Sequence, residues 1–452
     1  MRPDIVFVEA LTIASGPLPL RFPQGSRIVR LRASATQEPP VNLTPEFFAA
    51  ADPQVSFDGT SVLFSGKKRE GEPWQVWEMI ADGSQQRQIT SCTGDCLRAA
   101  YLPAGEIAFT VFGKKDEESA SYLAVSKLDG SQLRRITFGT GDFQLETVLR
   151  DGRILASAPW PLLANKDKAD SRLFYTLRPD GTALDSLRGK HWRATLQTDG
   201  EEAEDGSIIF VRNAPAGLVA GGELAQIRRG SLRESTLGSG QLAYRSPKQI
   251  SAGVLIVARQ RPSPKDAPAK FDLYTYHLAS GTLGERIYSD AKLSSIQAVP
   301  LVAHEVPKRF WSMVNPQSES GYFISLNSYL TDDNPEARVS TPIARVRVMT
   351  LAPGSGQERV LGDAPVEQDG SFYVQVPASQ AIRFALLDSE GRTIREERSW
   401  IWTQPGEQRG CPGCHADKAF APENHWPLTL KRFDTPTQLG DKEHASTTPP
   451  AK

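Results

Sequence analysis

Two cysteines and one histidine stand together near the end of the chain, in the segment Cys411-Pro412-Gly413-Cys414-His415. Two thiols at this spacing reach the two vinyl groups of one porphyrin, and the adjacent histidine then lies under the iron as an axial ligand. The pattern therefore predicts one covalently attached c-type haem, bound through Cys411, Cys414 and His415.

A Cys-x-x-Cys pair also occurs in redox dithiols and in zinc sites. The dithiol interpretation is disfavoured because no βαβ pattern surrounds the pair. The zinc interpretation needs two further ligands, and the sequence contains no second Cys-x-x-Cys pair. The histidine that directly follows Cys414 favours haem over both alternatives.

The sequence leaves open the ligand on the opposite face of the iron. The candidates are His425, His304 and Met313, and His425 follows His415 by ten residues. A five-coordinate iron that is open to a small external ligand is an equal alternative.

Three aromatic residues flank the motif: Trp400, Trp402 and Phe420. They provide apolar walls for a haem edge in one interpretation. In the other, they pack a small second domain against the larger first one.

A second pair of cysteines, Cys92 and Cys96, is expected in a loop between two repeats. In an oxidising compartment this pair forms a tight disulfide, which is the interpretation we prefer. Two free thiols, or metal binding together with a distant histidine, are the alternatives.

Glycine-containing turns recur through the first 290 residues and define repeats. One series has its glycines at 59, 105, 152, 206 and 253, and a second series has them at 83, 130, 181, 230 and 281. Short apolar segments accompany both series, so each unit of about 40–50 residues is a pair of hairpins, as in a propeller blade. Five blades are predicted between about 45 and 290. A β-sandwich of similar length is the competing fold.

A sixth blade is predicted from both ends of this region. It combines Ile5–Val8 and Ile28–Leu31 with Phe310–Met313 and Tyr322–Leu326.

The pattern changes after Leu330, where three alternating segments predict a small antiparallel β-sandwich. We therefore expect an all-β chain: a six-bladed β-propeller followed by a small antiparallel sandwich and a short helical haem-c segment, with the helix around Lys418. The predicted domains are the propeller at 1–330, the sandwich at 331–398, the haem-binding segment at 399–433 and a disordered polar tail at 434–452.

Composition excludes several classes of protein. The net charge of −1 provides no basic excess for phosphates, so we expect no nucleic-acid partner. No segment contains the roughly 18–20 apolar residues of a membrane-spanning helix. No secretion signal is evident at the N-terminus. Because c-type haem is normally attached outside the cytoplasm, we nevertheless expect a periplasmic or otherwise extracytoplasmic protein, with a mature or mis-started N-terminus.

The repeats resemble the TolB-type propeller repeat. The ordered set of propeller, sandwich, Arg398-Ser399-Trp400-Ile401-Trp402, the cysteine motif and Ala421-Pro422-Glu423-Asn424 resembles the alpha subunit of hydrazine synthase and its relatives, over most of residues 45–430. The resemblance implies a propeller before a middle domain with one c-type haem. The synthases add a further haem domain and partner subunits, and they join nitric oxide with ammonia. In that family a tyrosine one helical turn beyond the motif binds the iron. Ala419 stands there in this chain, which favours ligation by His415 and disfavours hydrazine synthesis.

Three functions remain open, and the sequence does not decide whether the chain is an enzyme. The first is one-electron transfer by a monohaem cytochrome-like protein whose propeller docks a redox partner protein. The second is a redox enzyme or sensor for a small nitrogen or oxygen species at an open haem iron. The third is a partner-binding propeller with a structural haem.

Overall fold

The computed structural model describes residues 2–14, 18–33, 38–113, 121–159, 171–187, 196–213, 221–231, 233–238, 243–262, 268–330, 339–352, 356–397, 399–413 and 426–440. Within these ranges the chain is almost entirely β-structure. The helical elements described are one turn, α1 (Leu18–Arg21), and a 3₁₀ turn at Leu428–Lys431. No helix in the described ranges has the length and apolar character needed to cross a membrane.

The first 300 residues form six four-stranded units, which are the blades of a propeller. The N-terminal strands of the closing blade are β1 (Ile5–Ala10), β2 (Arg27–Leu31) and β3 (Val41–Asn42). The next two blades contain β4 (Ala49–Val55), β5 (Ser61–Lys67), β6 (Gln75–Ile80) and β7 (Arg87–Gln88), then β8 (Asp95–Leu102), β9 (Glu106–Phe112), β10 (Ser121–Lys127) and β11 (Arg134–Arg135).

Three further blades complete the set, and each is built from consecutive antiparallel strands. They contain β12 (Gln144–Val148), β13 (Ile154–Pro159), β14 (Arg172–Leu177) and β15 (Asp185–Ser186); β16 (Leu196–Glu202), β17 (Ile208–Asn213), β18 (Glu223–Ile227) and β19 (Glu234–Thr236); and β20 (Tyr244–Ser251), β21 (Val254–Gln260), β22 (Phe271–His277) and β23 (Thr282–Tyr288).

The ring is closed by β24 (Ser294–Pro300), which pairs antiparallel with β1 from Ile5↔Pro300 to Ala10↔Ser294. The six inner strands β24, β4, β8, β12, β16 and β20 each contact the next around the axis. The predicted all-β fold with six blades is therefore confirmed, whereas the predicted composition of the closing blade is wrong. Phe310–Met313 has no strand structure, and Tyr322–Leu326 belongs mainly to a strand of the second region.

The repeated turn glycines have a physical reason that Gly130 illustrates. It adopts φ +84°, and a Cβ there would lie 2.3 Å from the carbonyl oxygen of Ile89. Only glycine allows both this conformation and this approach at low cost. The turn of one blade thereby packs against the neighbouring blade, which fixes the spacing between them.

The second region consists of two four-stranded sheets around a core of ten buried residues, which include Phe323, Val346 and Val374. One sheet contains β26 (Arg345–Leu351), β27 (Glu358–Pro365), β29 (Ile382–Leu387) and β30 (Thr393–Glu396). The other contains β25 (Ser320–Ser325), β28 (Phe372–Pro377), β31 (Gln408–Cys411) and β32 (Thr437–Gln438).

The prediction of a purely antiparallel sandwich is wrong for the second of these sheets. Strand β31 pairs parallel with β25, and β32 pairs parallel with β28. Strand β25 begins before the predicted boundary at residue 330, and β32 lies within the predicted disordered tail. Parallel pairs need long connections, so no local turn signal reveals them. The predicted helix around Lys418 and residues 441–452 lie outside the described residues.

Candidate functional site

The first cysteine of the motif, Cys411, is the last residue of β31 at the edge of its sheet. Its partner in register is Ser325, and its carbonyl oxygen accepts a 2.9 Å hydrogen bond from the backbone N–H of Leu326. Cys411 is partly exposed. The sheet therefore fixes the backbone of this cysteine while leaving it accessible from one side.

The chain then turns closely against the loop that follows β25. A Cβ on Gly413 would lie 2.7 Å from Cβ of Leu330 and 2.9 Å from the carbonyl oxygen of Asn327. Cys414, His415, Phe420 and His425 lie outside the described residues. The arrangement of the whole predicted ligand set therefore stays a prediction.

The described chain resumes at Trp426 on the same corner of the sandwich. The backbone N–H of Leu428 donates to Oδ2 of Asp369 at 2.8 Å, and that of Thr429 donates to Oγ of Ser371 at 3.0 Å. The turn at Gly370 in turn accepts a hydrogen bond from the backbone N–H of Ser328. Both ends of segment 414–425 are thus attached to one structural unit.

The strand that carries Cys411 and the residue before it are also hydrogen-bonded to the propeller. The guanidinium of Arg409 donates to the carbonyl oxygens of Trp402 at 2.7 Å and Leu184 at 3.0 Å. A carboxylate oxygen of Glu407 accepts from the backbone N–H of Ala183 at 2.9 Å. Because Leu184 and Ala183 precede β15, these bonds fix the position of the motif relative to one blade.

The two tryptophans before the motif pack the second region against the propeller. Trp402 is 0 % exposed within the core around β12–β14, its indole N–H donates to the carbonyl oxygen of Gly181 at 3.1 Å, and its ring lies 5.5 Å from that of Phe143. Trp400 is also buried, with the guanidinium of Arg383 5.0 Å from its ring centroid. The packing interpretation therefore describes both residues, and neither presents an exposed apolar wall.

The other candidate ligands lie on the segment that connects the two regions. His304 packs its ring 5.5 Å from that of Phe57, and burial lowers the pKa of its imidazole. The backbone N–H of Met313 donates to Asp180 at 3.0 Å, while its side chain is exposed. None of the contacts that the structure gives these two side chains is with Cys411, so their ligand roles stay predictions.

The other cysteine pair is joined in the structure. Cys92 and Cys96 form a disulfide with their Cα atoms 6.3 Å apart, a separation within the usual range. The backbone N–H of Cys92 donates to Oε1 of Gln75, and Cys96 is buried at the start of β8.

Sequence reasoning missed a group of charged residues on the propeller axis. Each inner strand breaks its pairing register at least once. Side chains near these breaks line a central cavity, and they include Asp52, Arg98, Glu146, Asp199, Ser246 and Gln297. A signal was present, because four of these polar residues lie seven positions before a repeat glycine, namely those at 59, 105, 206 and 253.

Fold and site together define a class of protein, a six-bladed propeller joined to a β-sandwich that carries a cysteine motif at a sheet edge. Residues 338–416 match the family model for the hydrazine synthase alpha subunit middle domain. Hydrazine synthase subunit alpha from Kuenenia stuttgartiensis is 38 % identical over 108 residues, which are 23 % of this chain and 13 % of that relative. The part of the chain around residues 338–416 is therefore similar to the middle domain of the hydrazine synthase alpha subunit.

One solved structure has the same fold as this chain. Kuenenia stuttgartiensis hydrazine synthase has a TM-score of 0.81 over 95 % of this chain and 71 % of that chain, at 18 % identity. TolB from Acinetobacter baumannii has a TM-score of 0.46 at 12 % identity, over 68 % of this chain and 67 % of that chain. The chain matches only 13 % of the length of the curated hydrazine synthase subunit alpha.

Proposed function

We propose that the chain is an extracytoplasmic electron-transfer protein with one covalent c-type haem on Cys411 and Cys414, with His415 as an axial ligand. The observation that supports this most directly is the position of Cys411. It ends an edge strand, is partly exposed, and begins a segment whose two ends attach to the same corner of the sandwich.

This arrangement fits the requirements of covalent haem attachment. The macrocycle is large and flat, so a thiol that joins it cannot be enclosed in a packed core. The backbone bonds at Leu326, Leu428 and Thr429 fix the chain on both sides of segment 414–425. Trp426, which is 66 % exposed, is an apolar side chain at the end of that segment.

The residues of the chain have separate roles in this proposal. A bound haem supplies a site for one electron, with a potential set by its ligands and surroundings. Arg409 and Glu407 hold the motif strand against the propeller, and the rigid ring offers a docking surface for a redox partner protein.

The proposed compartment has independent support from the disulfide. Bonds such as Cys92–Cys96 persist in oxidising compartments and are rare where thiols are kept reduced. The same compartments are where we expect c-type haem to be attached.

A second candidate function is chemistry or sensing at an open iron. The resemblance favours it, because residues 338–416 match a hydrazine synthase alpha subunit domain and the relative that is 38 % identical over 108 residues is named as a hydrazine synthase subunit. The coordination number of the haem iron distinguishes electron transfer from chemistry or sensing. Electron transfer predicts a six-coordinate, low-spin spectrum that carbon monoxide does not change, whereas an open site predicts a high-spin spectrum that shifts when carbon monoxide is added. A structural haem, the third candidate, predicts loss of folding without haem and no redox partner.

Haem attachment is tested by producing the full chain in a periplasm that contains the cytochrome c maturation machinery. The denatured, purified protein should retain one haem per chain in its reduced-minus-oxidised spectrum. Cys411→Ser combined with Cys414→Ser should abolish retention, because both thioether bonds are then lost.

The chain offers a matched control in its other cysteine pair. Cys92→Ser combined with Cys96→Ser removes the same number of thiols and should leave the haem content unchanged. A wild-type protein without covalent haem, or equal haem loss in both double variants, would refute the proposal.

A further inference from the structure

A wide cavity lies at one end of the propeller axis, where the C-terminal ends of the inner strands meet residues from 302 to 307 of the connection to the sandwich. We call it the end cavity. Its volume of about 540 Å³ is typical of small-molecule sites, which range from about 300 to 1,000 Å³. It shares Gln54, Ala100 and Glu201 with the central cavity, so the two form one charged channel along the axis.

The connection between the two regions forms one wall of the end cavity and is anchored to the propeller. The backbone N–H of His304 donates to the carbonyl oxygen of Phe57 at 2.8 Å, and that of Lys308 donates to the carbonyl oxygen of Arg150 at 2.9 Å. Phe57 follows β4 and Arg150 follows β12, so these anchors belong to two blades that are not neighbours. The cavity beside the connection is therefore preformed.

Aromatic and aliphatic side chains line part of the end cavity. The ring of Phe57 lies 6.1 Å from that of Tyr101 and 5.5 Å from that of His304. Burial lowers the pKa of His304, so its imidazole is predominantly neutral at pH 7. The faces of aromatic rings attract ammonium groups, and Val148 and Ile250 add surface for an aliphatic chain.

The charged residues of the wall leave an excess of negative charge. Glutamates line the cavity at 201, 202, 204 and 305, against two cationic residues, Arg150 and Lys248. Lys248 pairs with Glu201 at 2.8 Å. The guanidinium of Arg150 donates at 2.5 Å to the backbone carbonyl oxygen of Glu204 and not to a carboxylate. The lining residues therefore leave two negative charges without a counterpart.

Three of these carboxylates have no cation beside them. Glu202, Glu204 and Glu305 form no ion pair with any residue that the structure describes. The carboxylate of Glu202 accepts from the backbone N–H of Arg150 at 2.6 Å, and burial raises the pKa of this carboxyl group. Because Glu202 ends β16 whereas Glu305 belongs to the connection, the unpaired carboxylates come from two separate walls. A cationic ligand would offset the cost of holding them partly out of water.

We infer that the end cavity binds a linear aliphatic diamine, with its two ammonium groups beside carboxylates of the two walls and its methylene groups against the apolar side chains. Two positive charges match the excess of two negative charges, and bonds between ammonium and carboxylate are among the stronger hydrogen bonds. The aromatic rings favour an organic cation over a metal ion such as Ca²⁺, which requires oxygen ligands on most sides. The inference does not depend on the haem proposal.

Calorimetric titration of the full chain with 1,6-diaminohexane dihydrochloride tests this inference at constant ionic strength. We expect saturable binding of one diamine per chain and a rise in Tm with its concentration. The uncharged 1,6-hexanediol should not bind. The monoamine n-hexylamine should bind at least about tenfold more weakly, since one charge-assisted contact is lost. Calcium chloride should not displace the diamine.

Variants of the chain locate the site. Glu202→Gln removes one negative charge but keeps an oxygen for the N–H of Arg150, and it should weaken diamine binding by at least about fivefold. Glu305→Gln should show a similar loss, and it serves should Glu202→Gln fold poorly. Glu390→Gln is the matched control, because it removes a carboxylate that is 67 % exposed on the sandwich and should bind the diamine as wild type does.

The outcomes separate this inference from the haem proposal. The Cys411→Ser and Cys414→Ser double variant should bind the diamine normally, because the end cavity does not involve an iron. The inference is overturned by the absence of saturable binding in wild type, by unchanged binding in both Glu202→Gln and Glu305→Gln, or by loss of binding in the cysteine variant. Equal affinity for hexanediol or hexylamine, or displacement by calcium, would likewise overturn it.

Discussion

The two regions of the molecule are assembled in different ways. In the propeller, nearly every sheet pairs strands that follow one another in the chain, and β24 with β1 is the one distant pairing that closes the ring. In the sandwich, the sheet that carries Cys411 pairs Tyr322 with Gln408 and Val374 with Thr437. The cysteine motif therefore depends on contacts between distant parts of the chain, whereas each blade depends mainly on local hairpins.

The regions are nevertheless not independent of each other. Trp402 belongs to the segment that leads into β31, yet its side chain completes a hydrophobic core formed by β12–β14. Gln404 and Glu407 lie in the same connection, and Glu407 bonds to Ala183 of the propeller. The motif strand is thus positioned by the blade as well as by its own sheet.

Trp402→Ala should have the largest effect on stability. Removing a fully buried tryptophan leaves a cavity and an unpaired carbonyl oxygen at Gly181, and we expect a loss of about 3–5 kcal/mol in the free energy of unfolding. Denaturant titration of the full chain measures this loss. Trp426→Ala is the matched control, because Trp426 is exposed and should change stability little. Equal losses in the two variants would contradict a shared core.

Asp199→Asn should cost about 3 kcal/mol near pH 7, because it breaks a buried carboxylate's pairs with Arg98 and Arg245. Burial alone would raise the pKa of Asp199, but Arg245, Arg98 and Arg21 outweigh burial and hold it well below its usual range. A lowered pKa stabilises the folded state above the unfolded pKa of about 3.9, and this contribution is lost as the pH falls further.

The pH dependence distinguishes this effect from a simple packing defect. The difference in unfolding free energy between wild type and Asp199→Asn should be constant from pH 7 to about 5 and should shrink below about pH 4. Glu46→Gln is the control, since it also removes a carboxylate charge and the side chain of Glu46 is 75 % exposed. A difference that is independent of pH down to acid unfolding would show that the carboxylate charge is not involved.

The blades could be predicted because their signals are local and repeated. Gly59, Gly105 and Gly152 each occupy a positive-φ turn, and apolar segments follow them at a fixed distance. The closing strand has no such signal. The stretch Ser294–Pro300 is recognised only by its pairing with β1, almost the whole propeller away in sequence. The sequence favoured the aromatic segment Phe310–Met313 as a strand of this closing blade, but Trp311 within it is 76 % exposed.

For the candidate site, the residue types in the sequence predict the chemistry, but the sequence does not predict where the fold places these residues. The order of Cys411, Cys414 and His415 predicts a haem from covalent chemistry alone. That Cys411 ends a parallel edge strand follows from its pairing with Ser325, for which the sequence between them contains no cue. The charged channel was missed for a different reason. Its residues are spread over all six blades, and they converge only when the ring closes.

Gly413→Ala should have the smallest effect on stability and a specific effect on the motif. The added methyl would lie 2.7–2.9 Å from Leu330 and Asn327, and relieving this overlap should cost about 1–3 kcal/mol locally. Because φ at Gly413 is not positive, the overlap and not backbone strain is the cause. The displaced segment should bind less haem per chain after maturation, while the propeller should unfold as in wild type.

Gly410→Ala is the closest available control for this contact. Gly410 lies on the same strand, also without positive φ, and a Cβ there meets only Ile324 at an ordinary 4.0 Å. Its haem content should match that of wild type. If both variants lose haem equally, the strand as a whole is sensitive to substitution, and the packing of Gly413 against the loop after β25 does not position the motif. If neither variant loses haem, the contact of Gly413 with the loop after β25 is not needed for attachment, which then depends on the cysteine and histidine side chains alone.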